Sequence, residues 1–178
     1  MRTRITAAAV SALLVLALTG CTTPEPPEPT PTPLFSSEEE AFAAAEATYR
    51  AYVDALNQVD LSNPETFEPV YDLTTGEANA DFRESFSNMH AEGMVVTGSS
   101  TISALEPLAI DSDFEAAELA VCLDVSQVQV VDSTGASAVD PDRVPVQSLK
   151  ILLSPTSESS FGWAIEEISG RNGEPGCG

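Results

Sequence analysis

The segment Glu118–Asp132 constrains the fold more than any other part of the chain. Up to Val125 its residues fall into two alternating sets, with Leu119, Val121, Leu123 and Val125 on one side and Glu118, Ala120, Cys122 and Asp124 on the other. A period of two predicts a β-strand with one buried face. After Ser126 the apolar residues move to even positions, and such a change of phase is what an inserted bulge residue produces. We therefore expect one long, bent, central antiparallel strand that carries Cys122 on its less apolar face.

The first 21 residues have the pattern of an export leader. Arg2 and Arg4 precede the apolar run Ala7–Leu18, which is too short for a stable membrane span, and the run ends in Leu-Thr-Gly-Cys at Cys21. This pattern resembles the lipobox of bacterial lipoproteins. The resemblance implies that residues 1–20 are removed and that Cys21 is acylated, which anchors the protein at the extracytoplasmic face of the bacterial cell membrane. The alternative is a plain secretory signal that contains a cysteine.

Residues 21–35 are predicted to form a lipid-anchored, proline-rich linker, and residues 36–178 a single domain. Half of Thr22–Pro33 is proline, and each proline removes a backbone donor and fixes φ, so neither helix nor sheet can form there. A polyproline II conformation at about 3.1 Å per residue would make a stalk of roughly 35–40 Å.

The charge of the chain limits its partners. It contains 28 acidic and seven basic residues, a net charge of −21, and removal of Arg2 and Arg4 with the leader would leave five basic residues and a net charge of −23. Nucleic acid is excluded as a natural partner because a phosphate backbone requires a basic surface. The simplest role for so many acidic residues is solubility outside the cell.

Helical patterns fill the first half of the domain. Ser37 and Glu40 form a capping box before an amphipathic helix that we expect to reach about Val59. Asn63-Pro64 is a typical start of a second, short helix. A third helical pattern covers Glu77–Ala91 and is followed by Gly93 at the position of a left-handed terminator.

Strand patterns fill the second half. Met94–Ile110 predicts a bent or edge strand because Gly98 and Pro107 interrupt it, and Val144–Ser154 predicts the strand after the central one. A last strand begins near Phe161, with Trp163 as a core residue. Helices followed by antiparallel strands predict an α+β fold in which the helices pack on one face of a curved antiparallel sheet.

This order of elements, with Cys122 in the central strand, Trp163 in the last strand and Cys177 near the end, is similar to the NTF2-like (cystatin-type, cone-shaped) α+β domains of small actinobacterial lipoproteins. NTF2-like domains usually have more strands, so the sheet is expected to be abbreviated. The resemblance implies a cavity between helices and sheet, which different members use for small ligands, catalysis or dimerisation.

With Cys21 acylated, Cys122 and Cys177 are the remaining pair in an oxidising compartment, and we predict a disulfide bond between them. Two distant cysteines supply too few ligands for a metal site, and a redox pair would more often be spaced Cys-x-x-Cys.

No catalytic motif is present, and we assign no catalytic, cofactor-binding or metal-binding residue and no cofactor. Proton-transfer enzymes of the NTF2-like group use an Asp–His dyad or an Asp base; here only His90 with Asp81 or Asp124 could supply one. The Asp-x-Asp pairs, Asp111 with Asp113 and Asp140 with Asp142, lack the loop of an EF-hand and are read as solvated turns.

Three functions remain open at this stage. The favoured one is a non-catalytic, membrane-anchored envelope module that binds a small apolar ligand or another envelope protein. There are two alternatives. The first is a small cavity enzyme (an isomerase or hydrolase) that uses His90 with a carboxylate. The second is a structural or assembly subunit that forms a homodimer through its sheet. The surroundings of His90 should discriminate between them: a closed cavity with a carboxylate favours the enzyme, and a solvent-exposed helix end disfavours it.

Overall fold

The computed structural model describes residues 34–177. The predicted leader (1–20), the lipidation site Cys21 and most of the proline-rich linker lie outside the described residues. In chain order the elements are α1 (Glu38–Leu56), a 3-10 turn (Pro64–Phe67) continuing into α2 (Glu68–Asp72), α3 (Gly76–Ala91), β1 (Val95–Thr97), β2 (Thr101–Ile110), β3 (Ala117–Asp124), β4 (Gln129–Val131), β5 (Val146–Pro155) and β6 (Trp163–Gly170).

The main sheet is antiparallel with the strand order β2-β3-β5-β6. The three helices pack on one of its faces, and Leu119, Val121, Ile151, Leu153 and Ile165 from the sheet share one core with Tyr49, Phe67 and Phe86 from the helices. The predicted α+β class, with the helices on one face of an antiparallel sheet, is therefore confirmed. At the β6 edge Thr75 donates its backbone N–H to the carbonyl oxygen of Ile165 at 2.7 Å, so the segment before α3 lies along this strand.

The central strand is shorter than predicted. It is central, and Leu119, Val121 and Leu123 face the helices as expected, but it ends at Asp124. A turn follows, in which the Asp124 carboxylate accepts a hydrogen bond from the Ser126 N–H at 2.8 Å and the Val128 N–H donates to the Val125 carbonyl at 3.0 Å. The change of phase in Glu118–Asp132 thus marks a turn into a separate strand, β4, and the prediction of one bent strand with a bulge was wrong.

The partner of β4 is β1, and together they form a second, two-stranded antiparallel sheet in the described part of the chain. Gly98 lies between β1 and β2 with φ +82°, and a Cβ there would come within 1.9 Å of the Gln127 carbonyl oxygen. Only glycine permits both this backbone conformation and this approach. The predicted segment Met94–Ile110 is therefore divided at Gly98, whereas the predicted edge position is confirmed for β2, which carries Pro107 and two register shifts.

The helix boundaries follow the predicted caps with small shifts. Ser37 caps α1 and accepts a hydrogen bond from the Glu40 N–H at 3.2 Å, but Glu40 reaches back to the backbone N–H of Ser36, at 2.8 Å, rather than to that of Ser37. The helix ends at Leu56, three residues before the predicted Val59. Gly93 has φ +67° directly after α3, as expected for a left-handed terminator.

Both ends of the described chain are fixed to the domain. Phe35, which the sequence analysis counted with the linker, is buried in the core and stacks on Trp163, with 5.0 Å between the ring centroids. At the other end Cys177 is bonded to Cys122, and the Arg171 guanidinium donates to the carbonyl oxygens of Leu149 and Pro175. Cys122 is buried, so this face of β3 is less exposed to solvent than its sequence suggested.

Candidate functional site

His90 lies at the exposed C-terminal end of α3, away from any enclosed space. Its Nδ1 donates a hydrogen bond to the backbone carbonyl oxygen of Leu61 at 2.6 Å. Among the described residues no carboxylate lies within ion-pair distance of it. Asp81 is exposed on α3, and Asp124 uses its carboxylate in the turn after β3. The dyads considered for the enzyme hypothesis are therefore not assembled.

The space between helices and sheet is filled with aromatic side chains. The ring centroids of Tyr49 and Tyr52 are 5.5 Å apart, those of Tyr52 and Phe82 5.6 Å, those of Phe82 and Phe86 5.5 Å, and those of Phe86 and Phe67 5.0 Å. Such a continuous row of contacting rings leaves little room where the resemblance implied a cavity. Burial raises the pKa of the Tyr49 and Tyr52 hydroxyls, so both are neutral at physiological pH.

The acidic turns are local structures. The Asp111 carboxylate accepts a hydrogen bond from the Glu115 N–H at 2.6 Å, and the Asp140 carboxylate accepts one from the Asp142 N–H at 2.8 Å. Within the described residues there is no group of three or more His, Cys, Asp or Glu side chains that could hold a metal ion.

The predicted disulfide is present, with Cys122 and Cys177 joined and their Cα atoms 5.4 Å apart. Trp163, predicted as a core residue, is fully buried, and its indole N–H donates to the Ala41 carbonyl oxygen at 3.0 Å. None of the helices between residues 34 and 177 is long and apolar enough to cross a membrane.

A groove of about 1000 Å³ lies between the α2–α3 segment and the β5–β6 hairpin, and we call it the Arg83 groove. It contains the guanidinium of Arg83, a residue that no sequence motif marked as functional. Its helical wall carries Tyr71, Asp72, Asn79 and Arg83, and its hairpin wall carries Ser154, Thr156, Glu158, Ser159 and Ser160. The lining is mostly polar, unlike the aromatic interior.

Arg83 is held in place by a chain of hydrogen bonds. Its Nε donates to the Asn79 side-chain oxygen at 2.8 Å, and its guanidinium carbon lies 4.0 Å from the centroid of the Tyr71 ring. The Asn79 side-chain nitrogen donates to the Tyr71 carbonyl oxygen and to the Thr74 hydroxyl, both at 3.0 Å. The Thr74 hydroxyl in turn donates to the Val70 carbonyl oxygen at 2.9 Å. These contacts hold the guanidinium over the Tyr71 ring.

The other arginine and lysine side chains between residues 34 and 177 have polar partners for their charged ends. The pairs are Arg50 with Glu46, Lys150 with Glu118, Arg143 with the Val125 and Val128 carbonyls, and Arg171 with the Leu149, Gly173 and Pro175 carbonyls. In contrast, the two terminal nitrogens of Arg83 make no hydrogen bond and no ion pair with any described residue. The i, i+4 spacing of Asn79 and Arg83 was visible in the sequence, but their approach to Tyr71 depends on how α2 and α3 fold together.

No protein-family model matches the chain, and no curated protein sequence matches it. Its fold is similar to that of several solved structures. The intermembrane space region of the chloroplast protein ARC6 is 16% identical, with a TM-score of 0.51 over 72% of this chain and 94% of that one. A protein from Novosphingobium aromaticivorans, proposed to be an aromatic ring hydroxylase, is 15% identical, with a TM-score of 0.48 over 77% and 96%. CagV, a VirB8 homologue of the Helicobacter pylori type IV secretion system, is 10% identical, with a TM-score of 0.45 over 71% and 95%. At 16% identity, the similarity to the ARC6 region concerns the fold alone.

Proposed function

We propose that this protein is a bacterial lipoprotein, anchored through Cys21 at the extracytoplasmic face of the cell membrane, whose domain is a non-catalytic binding or assembly module. The proposal that the domain is non-catalytic rests on one observation, the row of contacting aromatic rings in the interior. These rings fill the space where a cavity enzyme would hold its substrate, and they belong to Tyr49, Tyr52, Phe82, Phe86 and Phe67. The exposed His90, bonded to a backbone carbonyl, supports the same view. Function then depends on the surface of the domain, which favours another envelope protein over a small apolar ligand as the partner.

Two further features support an extracytoplasmic location. The first is the leader with its lipobox-like end at Cys21. The second is the disulfide between Cys122 and Cys177, because such bonds persist in oxidising compartments and are rare in the cytosol. On this proposal, residues 21–34 are the stalk that separates the domain from the membrane, because Phe35 already belongs to the core.

Membrane fractionation of the full-length protein tests the anchor. The Cys21→Ala variant should be released from the membrane fraction, whereas a Thr22→Ala variant, altered at the next position, should stay there. Retention of Cys21→Ala at the level of the unaltered protein would reject acylation at Cys21.

Native mass spectrometry of the protein purified from its own membrane, after cross-linking in intact cells, tests the binding role. We expect a protein partner, or a second copy of this chain, in a fixed ratio. A small molecule retained in equal amount to the protein, without any protein partner, would instead indicate a cavity that opens to hold a ligand.

A further inference from the structure

The Arg83 groove has the features of a recognition site, and this inference rests on the proposed binding function. The chain has 28 acidic residues against seven basic ones, yet the terminal nitrogens of Arg83 have no carboxylate partner between residues 34 and 177. The guanidinium is nonetheless held in one orientation by Asn79 and the Tyr71 ring. A planar fork of donors that is fixed in advance and unpaired is suited to bidentate binding of a carboxylate.

The charge of the surroundings narrows the class of ligand. A net charge of −21 repels polyanions such as nucleic acid or an acidic protein surface, so the ligand of Arg83 is expected to carry a single anionic group on a partner that is otherwise neutral or basic. Of such groups, a carboxylate matches the planar fork of the guanidinium. Two other charged residues, Asp72 and Glu158, line the groove. Neither is paired with a described basic residue, and both would attract a positive side chain next to the carboxylate.

The size and the lining of the groove suit a short peptide segment. Its volume of about 1000 Å³ is at the upper end of the range of about 300–1,000 Å³ for small-molecule sites. The hairpin wall supplies hydroxyl groups at Thr156, Ser159 and Ser160, which can both donate and accept hydrogen bonds and so can bind peptide groups. Capture of a chain terminus through its carboxylate is a recurring mode of peptide recognition.

We propose that the Arg83 groove binds the C-terminal carboxylate of a partner protein whose last residues include a basic side chain. The carboxylate forms two parallel hydrogen bonds with the terminal nitrogens of Arg83, and the basic side chain lies near Asp72 or Glu158. The adjacent peptide groups contact the hydroxyls of the β5–β6 hairpin.

The test is a fluorescence-anisotropy titration of the full-length protein in non-ionic detergent. The probe is the tripeptide lysyl-alanyl-alanine, dansylated at its N-terminus so that the lysine side chain stays charged, with a free C-terminal carboxylate. Its C-terminal amide is the matched control for nonspecific and detergent binding. We expect saturable binding of the acid and at least about tenfold weaker binding of the amide, because only the acid offers a bidentate charged acceptor.

Variants locate the binding. Arg83→Gln should abolish the difference between acid and amide, and Arg83→Lys should reduce it because a lysine lacks the planar fork. Arg50→Gln removes another exposed arginine, on α1, and should leave the titration unchanged. Circular dichroism and the melting temperature confirm that each variant is folded.

Equal binding of acid and amide, unchanged binding by Arg83→Gln, or the absence of saturable binding of the acid would each overturn the proposal. These outcomes leave the proposed function standing, because anchoring through Cys21 and the protein partner seen by mass spectrometry are measured independently of Arg83. Conversely, loss of the anchor or of the partner in those experiments would not alter the peptide titration.

Discussion

The indole nitrogen of Trp163, in the last strand, donates a hydrogen bond of 3.0 Å to the carbonyl oxygen of Ala41 in the first helix. The two residues are 122 positions apart, and both are buried. This bond, together with the stacking of Trp163 on Phe35, joins the beginning of the domain to the end of its sheet. The packing of α1 on the sheet therefore depends strongly on one side chain.

Trp163→Phe should lower the free energy of unfolding by about 2–4 kcal/mol, because it removes the hydrogen bond to Ala41 and leaves part of a buried site empty. Urea denaturation measures the change. Phe161→Leu, at a half-buried position just before β6, is the control and should cost about 1 kcal/mol or less. A Trp163→Phe protein as stable as the unaltered one would show that the contact with α1 contributes little.

Tyr49→Phe should leave the free energy of unfolding unchanged or raise it by up to about 1 kcal/mol. The Tyr49 hydroxyl is buried and has no hydrogen-bond partner among the described residues, so its removal relieves an unsatisfied polar group. The control is Tyr71→Phe, at a half-buried tyrosine, which should change the free energy of unfolding very little. A marked loss of stability in Tyr49→Phe would indicate that the hydroxyl binds an internal water molecule.

Alkaline pH should destabilise the domain. Burial raises the pKa of Tyr49 and Tyr52, and for Tyr52 the charge of an ionised Tyr49 raises it further. In the unfolded chain tyrosine titrates near pH 10, so the contribution of these two tyrosines to stability is constant below about pH 10. Above it stability falls, since the unfolded chain then releases protons that the folded chain retains. Urea midpoints measured across this range test the prediction. The decline should be shallower in Tyr49→Phe, and an equal slope would contradict the assignment.

The double variant Cys122→Ser, Cys177→Ser should lose about 4 kcal/mol of stability on the chain-entropy view, given a sequence separation of 55. The single variant Cys21→Ser should unfold like the unaltered domain. Mass analysis without reductant should show two hydrogens fewer than the reduced form, and free thiols at Cys122 and Cys177 in the unreduced protein would refute the bond.

Gly98→Ala should lower the free energy of unfolding by more than about 2 kcal/mol, because it adds steric conflict with the Gln127 carbonyl to the strain of a positive φ. Gly135→Ala is a matched control. Its φ of +86° is similar, but a Cβ there meets nothing within 4 Å, so only the backbone strain of about 1–2 kcal/mol is expected. Equal losses in the two variants would show that the turn after β3 adjusts freely.

The local parts of the fold could be predicted from sequence. The cap at Ser37, the terminator at Gly93 and the inward face of β3 each depend on neighbouring residues, and each is present. The end of β3 could not be predicted in this way, because a bulge and a turn produce the same change of phase. The pairing of β4 with β1, more than 30 positions away, decides between them.

The functional features also divide into those that local sequence reveals and those that depend on contacts between distant residues. The disulfide was predictable because only two cysteines remain once Cys21 is set aside. The filling of the interior was not, because single aromatic residues on α1, α2 and α3 do not reveal that their rings meet. The Arg83 groove was missed since Tyr71, Asn79 and Glu158 come from separate segments of the sequence.

The cross-link at Cys177 also bears on how proteases attack the end of the domain. An exopeptidase that trims the chain from its C-terminal side would reach a branched residue at Cys177, which is tied to the middle strand of the sheet. Further digestion would require unfolding or reduction first. The bond thus protects the segment between β6 and Cys177 from trimming.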